Sequence, residues 1–233
     1  MKYAIISDIH ANLEALSKAM TIIQEKKVDE IICLGDVVGY GANPNECADI
    51  VRRRCSTVIL GNHDAAALDT SLAHDFNPIA QKAVVWTAEH LTNESLSFLS
   101  SLPMVDKKEN ILLVHSSPCS PELWDYIITA DDAISAIHCF GEKICFIGHT
   151  HVPGVFSSQG RSKSISANEQ HLVNVGSVGQ PRDGNPMLAF GIFDSTAWEY
   201  ELIRSEYDIQ GAAEKILNAG LPRELGYRLM YGM

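Results

Sequence analysis

Residues of the types that bind metal ions follow five apolar segments of this 233-residue sequence, at the point where each segment ends. The central segment, residues 31–34, stops at Gly35-Asp36 and runs into a glycine-rich turn. An aspartate in that position is by itself usually a turn residue or a helix cap. Turn chemistry explains one or two such positions, however, and not five. The polar residues at the segment ends are Asp8, His10, Asp36, Asn62, His63, His115, His149 and His151.

The elements that must position these residues are strands and helices in alternation. The predicted strands are residues 3–7, 30–34, 57–60, 111–114 and 143–147. The predicted helices are residues 12–27, 43–54, 77–101 (as one helix or two) and 129–140. Uninterrupted apolar strands that alternate with helices indicate a largely buried parallel sheet.

After residue 151 the pattern changes to strands joined by turns, which indicates antiparallel β structure added to the α/β half. These strands are predicted at residues 152–156, 172–175, 187–193 and 197–203, and one final helix is predicted after Ser205. No linker, repeat or low-complexity stretch divides the chain, so we interpret residues 1–233 as a single α/β domain.

The carboxyl ends of parallel strands are where ligands bind in α/β sheets, so the polar side chains at the strand ends are expected to converge. Carboxylate, imidazole and amide oxygen ligands suit Mn²⁺, Fe, Co, Ni or Zn²⁺. None of the strand-end residues is a cysteine, which argues against a structural zinc site. So many ligands suit two ions with one bridging aspartate. Two divalent ions about 3.5–4 Å apart acidify a shared water and stabilise an in-line displacement. They would also give an acidic protein a local centre that binds anions.

Composition limits the partners of the protein. The chain is 46% hydrophobic and 20% charged, as is usual for a globular protein with a substantial core. The formal charge of −11 disfavours binding to a nucleic-acid backbone, and the one basic run, residues 52–54, lies at the end of a predicted helix. No apolar run approaches the ~20 residues that cross a bilayer, and the N-terminus does not resemble a signal peptide. We therefore expect a cytoplasmic protein that binds neither membranes nor nucleic acid.

Six cysteines, at positions 33, 47, 55, 119, 139 and 145, show no regular spacing and no CxxC pair. We expect all six to be reduced and structural, in agreement with a cytoplasmic location. The histidines outside the strand ends, at positions 74, 90, 138 and 171, are interpreted as surface or helix residues. The three tryptophans, at positions 86, 124 and 198, are interpreted as core or pocket-wall residues.

Taken in order, the strand-end motifs resemble those of the calcineurin-like metallophosphoesterases. The motifs are DxH at residues 8–10, GDxxGxG at 35–41, GNHD at 61–64, the single His115, and GHTH at 148–151. The downstream sequence NVGSVGQPR, at residues 174–182, is similar to a bacterial and archaeal branch of that family. The resemblance implies a four-layer α/β/β/α sandwich of two mixed β-sheets flanked by helices, with a dinuclear metal site at one edge.

The resemblance also assigns roles by motif. The first metal ion would be held by Asp8, His10, Asp36 and His151, and the second by Asp36, Asn62, His115 and His149. The ions would be divalent, with manganese favoured and iron, nickel, zinc or cobalt as alternatives. A hydroxide bridging them would attack phosphorus. Asn62 and His63 would bind substrate, and His63 would protonate the leaving group or hold the transition state. Asp64 would orient the loop rather than touch substrate.

One departure from the family is informative. Many protein phosphatases of the family have GDxxDRG, in which the aspartate supports the catalytic histidine and the arginine binds phosphate; this chain has Gly39 and Tyr40 there. Arg182 could supply a replacement phosphate contact or could be an ordinary surface residue. Asn12 has two similar alternatives, a substrate contact or the N-cap of the first helix.

The function expected from these features is metal-dependent hydrolysis of a small phosphoester, either nucleotide-like or a phosphorylated metabolite. A diester is favoured slightly over a monoester because the phosphate-binding arginine is missing. The alternatives are a binding scaffold, as in the retromer subunit of this family, a serine/threonine-type protein phosphatase, and a DNA nuclease. A scaffold is disfavoured by the complete ligand set, and a nuclease by the lack of a basic groove. The sequence leaves the oligomeric state open.

Overall fold

Two mixed β-sheets lie face to face between layers of helices in the computed structural model, which describes residues 1–233. The strands are β1 (Lys2–Ile6), β2 (Glu30–Cys33), β3 (Thr57–Val58), β4 (Val105–Lys108), β5 (Ile111–Val114), β6 (Ile144–Ile147), β7 (Gly154–Ser157), β8 (Gly160–Ser162), β9 (His171–Asn174), β10 (Leu188–Asp194) and β11 (Glu199–Ser205). The α-helices are α1 (Leu13–Lys26), α2 (Pro44–Arg54), α3 (Asn62–Leu68), α4 (Pro78–His90), α5 (Asn93–Ser100), α6 (Ala130–Ile137), α7 (Ile209–Asn218) and α8 (Arg223–Tyr231). The expected fold class is confirmed.

The first sheet has the strand order β11-β10-β1-β2-β3, and the second has the order β4-β5-β6-β9-β7-β8. Strands β1, β2 and β3 are parallel to one another, as are β5, β6 and β9, whereas β10 pairs antiparallel with β1. The strand pattern alone indicated a largely buried parallel sheet, and the structure divides the parallel strands between two mixed sheets, as the family resemblance implied. A strand buried on both faces has the same apolar sequence whether its second face meets a helix or another sheet.

Alternate residues of β1 show how the layers are built. Tyr3 and Ile5 face the second sheet, where they share an apolar cluster with Phe146 of β6. Ala4 and Ile6 face the helices and share a cluster with residues of α1, α2 and α5. Full burial of a side chain such as Ile5 stabilises the fold by about 1.5–3 kcal/mol. The outer face of the second sheet is covered by α6 through a third cluster.

Several elements differ from the prediction. Strand β3 is shorter than expected because α3 begins at Asn62, directly after the short loop that follows the strand. Strands β4 and β8 were not predicted, since β4 is a charged edge strand and β8 has only three residues. Two helices, α7 and α8, replace the single C-terminal helix, and Gly220 at φ +74° lies between them. None of the helices is long and apolar enough to cross a membrane.

The prediction that all six cysteines are reduced was wrong for one pair. Cys119 and Cys139 form a disulfide with their Cα atoms 5.1 Å apart. Both residues are exposed, the first in the loop after β5 and the second just after α6. The two cysteines are 20 residues apart, a spacing that does not predict a disulfide. Their pairing depends on how the loop folds back onto α6. The remaining cysteines, at positions 33, 47, 55 and 145, are free.

The interpretation of the remaining histidines also needs one correction. His171 is not a surface or helix residue, because it is fully buried in β9. Its Nε2 accepts a hydrogen bond of 2.8 Å from the backbone N–H of Ser166. This contact fastens the loop before β9 and leaves His171 with a structural role.

Candidate metal centre

The carboxyl ends of β1, β2 and β3 in one sheet and of β5 and β6 in the other meet at a single edge of the sandwich. All seven predicted metal ligands are buried there. Their ligand atoms form two groups, and within each group all atoms lie within 4.8 Å of one another. The first group consists of Asp8, His10, Asp36 and His151. The second group consists of Asp36, His115 and His149. Asp36 belongs to both groups, and Asn62 Oδ1 lies 3.2 Å from Nε2 of His115.

Three of the imidazoles are oriented by backbone carbonyl groups. The Nδ1 atoms of His10, His115 and His151 lie 3.2, 2.8 and 2.6 Å from the carbonyl oxygens of Val38, Leu34 and Gln180. A carbonyl oxygen can only accept, so each Nδ1 carries a proton, and each Nε2 is the atom that can offer a lone pair to a metal ion at the centre. This is the tautomer that a metal ion requires.

The inward nitrogen atoms are close together without a proton to share. Nε2 of His10 lies 3.0 Å from Nε2 of His151. Two lone pairs at that distance repel, and a cation between them would remove the conflict. His149 presents Nδ1 at 3.2 Å from Nε2 of His115, and its own Nε2 is buried without a partner. The donor set therefore fits divalent metal ions.

The backbone at the centre is unusual. Five of the seven predicted ligands have left-handed φ angles, namely Asp8 (53°), His10 (50°), Asp36 (51°), His149 (66°) and His151 (61°). Residues other than glycine seldom adopt this conformation, and such residues cluster at functional sites, where the surrounding structure holds them in place. The loops are tied together by backbone hydrogen bonds, such as that from the N–H of His10 to the carbonyl of Asp36 at 2.9 Å.

The two candidate carboxylates are positioned by backbone donors and by glycines. Asp8 accepts from the N–H of His149 at 3.0 Å, and Asp36 Oδ1 accepts from the N–H of His63 at 2.8 Å. A Cβ atom on Gly61 would lie 2.2 Å from Asp36 Oδ1, and one on Gly148 would lie 2.4 Å from Asp8 Oδ2. Only glycine at these two positions lets the chain approach the carboxylates so closely.

The charges of the centre favour a cation. Burial opposes ionisation of both carboxyl groups, yet the neighbouring imidazoles lower the pKa of Asp8 and of Asp36. Burial also opposes a charged imidazole, but the two carboxylates raise the pKa of His115 to about 9. Burial, assisted by His115, lowers the pKa of His149 to about 3. Burial likewise lowers the pKa of His10 and of His151. The two carboxylates therefore outweigh any positive charge on the imidazoles, and a cation would neutralise the remaining negative charge.

His63 lies beside the centre rather than within it. Its ring packs 4.4 Å from that of Tyr40 and 4.8 Å from that of Phe76, measured between centroids. Its Nδ1 is buried without a partner, and a Cβ on Gly39 would lie 2.7 Å from that nitrogen. Gly39 occupies the position at which the protein-phosphatase motif has an aspartate, so this motif supplies no carboxylate to His63.

Asp64 holds the loops around His63. Its two carboxylate oxygens accept from the N–H groups of Val38 at 3.0 Å and Gly61 at 3.1 Å. Burial and the nearby Asp36 raise the pKa of Asp64 to about 7. These contacts agree with the expectation that Asp64 orients the loop.

Arg182 and Asn12 have different surroundings. Arg182 is half-buried, with its guanidinium 5.5 Å from the centroid of the Tyr40 ring, and its Nη2 donates to Gln180 Oε1 at 2.7 Å. Burial lowers the pKa of His63 to about 4, and the charge of Arg182 contributes to this shift. Asn12 has the contacts of an N-cap, because its Oδ1 accepts from Ala15 N–H at 3.1 Å and its Nδ2 donates to the carbonyl of Gly179 at 2.8 Å.

Other residues at the centre were not identified from the sequence. Gln180 accepts from His151 through its backbone carbonyl and from Arg182 through its side chain. Tyr126 stacks on the ring of His149 with centroids 4.1 Å apart, and Trp124 meets the ring of His115 edge-on at 5.9 Å. Trp124 thus agrees with the interpretation as a pocket-wall residue. Gln180 lies in the motif at residues 174–182, although its contacts were not predicted, and no spacing rule marks Tyr126.

Comparisons with known proteins agree with this geometry. The family model of the calcineurin-like phosphoesterase superfamily domain matches residues 1–197. The uncharacterized protein MJ0912 of Methanocaldococcus jannaschii is 40% identical over 239 residues, covering 98% of this chain and 97% of that protein. The crystal structure of a metallophosphoesterase from Sphaerobacter thermophilus superposes with a TM-score of 0.90 at 36% identity, covering 100% of this chain and 99% of the other. The hypothetical protein PH1004 from Pyrococcus horikoshii OT3 shares the fold, with a TM-score of 0.81 at 21% identity and coverage of 100% and 98%.

Proposed function

The chain belongs to the calcineurin-like phosphoesterase superfamily, and within it we propose that this protein is a metal-dependent hydrolase of small phosphoesters. The observation that carries the proposal is the pair of ligand groups that share Asp36. A buried carboxylate common to two groups of metal-binding side chains is the arrangement that a dinuclear hydrolase needs. Binding of one isolated ion would not require a shared ligand.

The metal ions we propose are two divalent cations, with Mn²⁺ favoured over Fe, Ni²⁺, Zn²⁺ and Co²⁺. Asp8, His10 and His151 would hold one ion, Asn62, His115 and His149 the other, and Asp36 both. When bound, the ions would provide a hydroxide nucleophile at neutral pH and neutralise charge on the phosphoryl oxygens.

The remaining roles fall to groups beside the centre. The amide of Asn62 and the imidazole of His63 would contact the phosphoryl group, and His63 would also donate a proton or a hydrogen bond to the leaving oxygen. The guanidinium of Arg182 lies over Tyr40, the position at which protein phosphatases of the family carry their arginine, and this supports the proposal that Arg182 contacts phosphate. The contacts of Asn12 are those of a helix cap, and we give it no part in the proposed reaction.

We favour a diester over a monoester. A diester presents one negative charge and a monoester close to two, so a monoester depends more on a dedicated guanidinium. In this chain Gly39 and Tyr40 stand where protein phosphatases of the family have an aspartate and the phosphate-binding arginine. Arg182, the guanidinium that could replace that arginine, already donates two hydrogen bonds to Gln180.

The test is hydrolysis of bis-p-nitrophenyl phosphate and p-nitrophenyl phosphate by protein loaded with Mn²⁺, Ni²⁺ or Zn²⁺. We expect turnover that depends on metal and that is lost in Asn62→Ala and His63→Ala. Protein shown to hold two ions but unable to hydrolyse either compound would contradict the proposal. A binding scaffold on this fold would bind its partner whether or not metal was present.

A further inference from the structure

A cleft lined by both apolar and polar residues opens beside the metal centre. It has a volume of about 390 Å³ and reaches His63, Asn62 and His149 at its base. Four of its wall residues are Leu72, Leu123, Trp124 and Tyr126. Leu72, Leu123 and Tyr126 are 52%, 64% and 54% exposed, which is unusual for large apolar side chains that lie together next to a buried polar site. We call this cleft, defined by these four residues, the aromatic cleft.

The aromatic cleft has one charged wall residue. That residue is Asp75, and no lysine or arginine lines the cleft. A substrate with a chain of phosphates would gain no cationic partner there for its second or third phosphate. The walls therefore suit a substrate that places one phosphoryl group at the metal centre and an uncharged group in the cleft.

The position of the Tyr126 ring indicates that a flat group suits the aromatic cleft. Its ring lies nearly parallel to that of His149, with an interplanar angle of 27°. One face of the ring is thus covered by a predicted metal ligand, and the exposed part of the ring faces a cleft also lined by Trp124. Flat π-surfaces attract other flat π-systems, and stacking of a base on an aromatic side chain contributes about 1–3 kcal/mol.

Polar groups that also line the cleft could bind the edge of such a ring. Asn77 uses its side-chain oxygen to cap α4, where it accepts from the N–H groups of Ile79 and Ala80. Its amide nitrogen makes no hydrogen bond within the protein and can donate. Asp75 also lines the cleft and provides acceptor oxygens, of which Oδ1 lies 3.2 Å from Nδ1 of His74. A donor and an acceptor from this one segment suit the edge of a nucleobase.

We propose that the aromatic cleft binds a nucleobase, and that the substrate is a nucleoside ester with a single phosphoryl group rather than a sugar phosphate or a polyphosphate. This inference rests on the proposed function, because it concerns the substrate of the same metal centre. The disulfide between Cys119 and Cys139 supports it. It fastens the segment that carries Leu123, Trp124 and Tyr126 to the end of α6, so this wall is held in place before substrate binds.

The experiment compares substrates that differ only in the base. Adenosine 5′-monophosphate and ribose 5-phosphate have the same leaving oxygen, and each is tested both as the monoester and as its methyl diester with Mn²⁺-loaded protein. The variants are Tyr126→Ala, Tyr126→Phe, which keeps the ring, and Ile128→Ala. Ile128 is a matched control, because it is 73% exposed in the same loop but does not line the cleft.

We expect the wild-type kcat/KM to favour the nucleoside ester by about 10-fold or more, which is the size of one stacking interaction. Tyr126→Ala should remove most of this preference, chiefly through KM, while Tyr126→Phe and Ile128→Ala retain it. Equal values for the two compounds in wild type, or a preference unchanged in Tyr126→Ala, would overturn the inference. So would hydrolysis of p-nitrophenyl esters without hydrolysis of either ribose compound. Absence of turnover with every ester would instead refute the proposed function, and the inference with it.

Discussion

Asp36 accepts a hydrogen bond from the backbone N–H of His63, with 2.8 Å between Oδ1 and the nitrogen. That bond fixes the orientation of the carboxylate. Its other oxygen, Oδ2, lies 3.3 Å from Nε2 of His115 and 3.6 Å from Nε2 of His10. One side chain is therefore presented to both ligand groups, and the residue that orients it is the proposed proton donor.

Replacing the shared carboxylate by an amide should show whether metal binding depends on the negative charge of Asp36, because the amide has nearly the same shape but no charge. Asp36→Asn keeps an oxygen for the His63 N–H but loses the negative charge that two cations would share. We expect metal content to fall below two ions per chain and kcat to fall by more than about 100-fold. Metal analysis by mass spectrometry and steady-state kinetics measure the two effects. Asp49→Asn on the exposed face of α2 is the control, and equal losses in both variants would contradict the assignment.

A methyl group at Gly61 should disturb the same carboxylate from the other side. Because its Cβ would lie 2.2 Å from Asp36 Oδ1, Gly61→Ala must displace Asp36 or its loop. We expect loss of metal together with about 1–3 kcal/mol of stability. Gly141→Ala is the matched control, since no atom lies within 4 Å of its Cβ position. Full metal content in Gly61→Ala would show that the close packing at Asp36 is not required.

Opening the disulfide should weaken both the fold and the aromatic cleft. Cys119→Ser removes a cross-link that closes a 20-residue separation, and links of this kind typically contribute about 2–4 kcal/mol. We expect a lower midpoint of chemical unfolding and a higher KM for the nucleoside ester, with a smaller effect on kcat.

Reduction of the wild-type protein should have the same effects as Cys119→Ser. Cys55→Ser is the control, because Cys55 is half-buried and unpaired. Identical unfolding midpoints for oxidised and reduced wild-type protein would argue that the cross-link contributes nothing to the fold.

Tyr200 should make stability sensitive to alkaline pH. Its hydroxyl is buried without a hydrogen-bond partner, and burial raises its pKa well above the usual value for tyrosine. An unfolded tyrosine ionises near pH ~10, so above that pH the unfolded chain loses a proton that the folded chain keeps. The contribution of Tyr200 to the free energy of unfolding is therefore complete below pH ~10 and falls by about 1.4 kcal/mol per pH unit above it.

Tyr200→Phe should remove this pH dependence and, by deleting an unpaired hydroxyl, raise stability at neutral pH by about 1 kcal/mol. Urea unfolding of wild type and Tyr200→Phe at pH ~8 and pH ~11 provides the comparison. Tyr227→Phe, at an exposed ring, is the control. Equal alkaline losses in wild type and Tyr200→Phe would contradict the burial of this hydroxyl.

The candidate ligands could be predicted because strand geometry alone determines where they lie. Asp36 follows an apolar strand directly, and the end of such a strand is the same place whether the strand lies in one sheet or two. The division of the parallel strands between two sheets therefore does not displace any predicted ligand.

The residues that the sequence did not reveal depend on how loops pack. Gln180 lies in the motif at residues 174–182, but nothing in that motif shows that it orients His151 and Arg182. Tyr126 and Cys119 lie in the loop between β5 and α6. The contacts of Tyr126 with His149 and of Cys119 with Cys139 depend on how that loop packs. His171 was misinterpreted because its partner is a backbone N–H, and a backbone group leaves no mark in the sequence.

The central claim is that one carboxylate joins two cation sites. A crystal structure of protein grown with Mn²⁺, with anomalous differences measured at the manganese edge, tests this most directly. We predict two anomalous peaks about 3.5–4 Å apart, each bounded by one of the two ligand groups, with Asp36 in contact with both. A single peak, or two peaks of which only one touches Asp36, would contradict it.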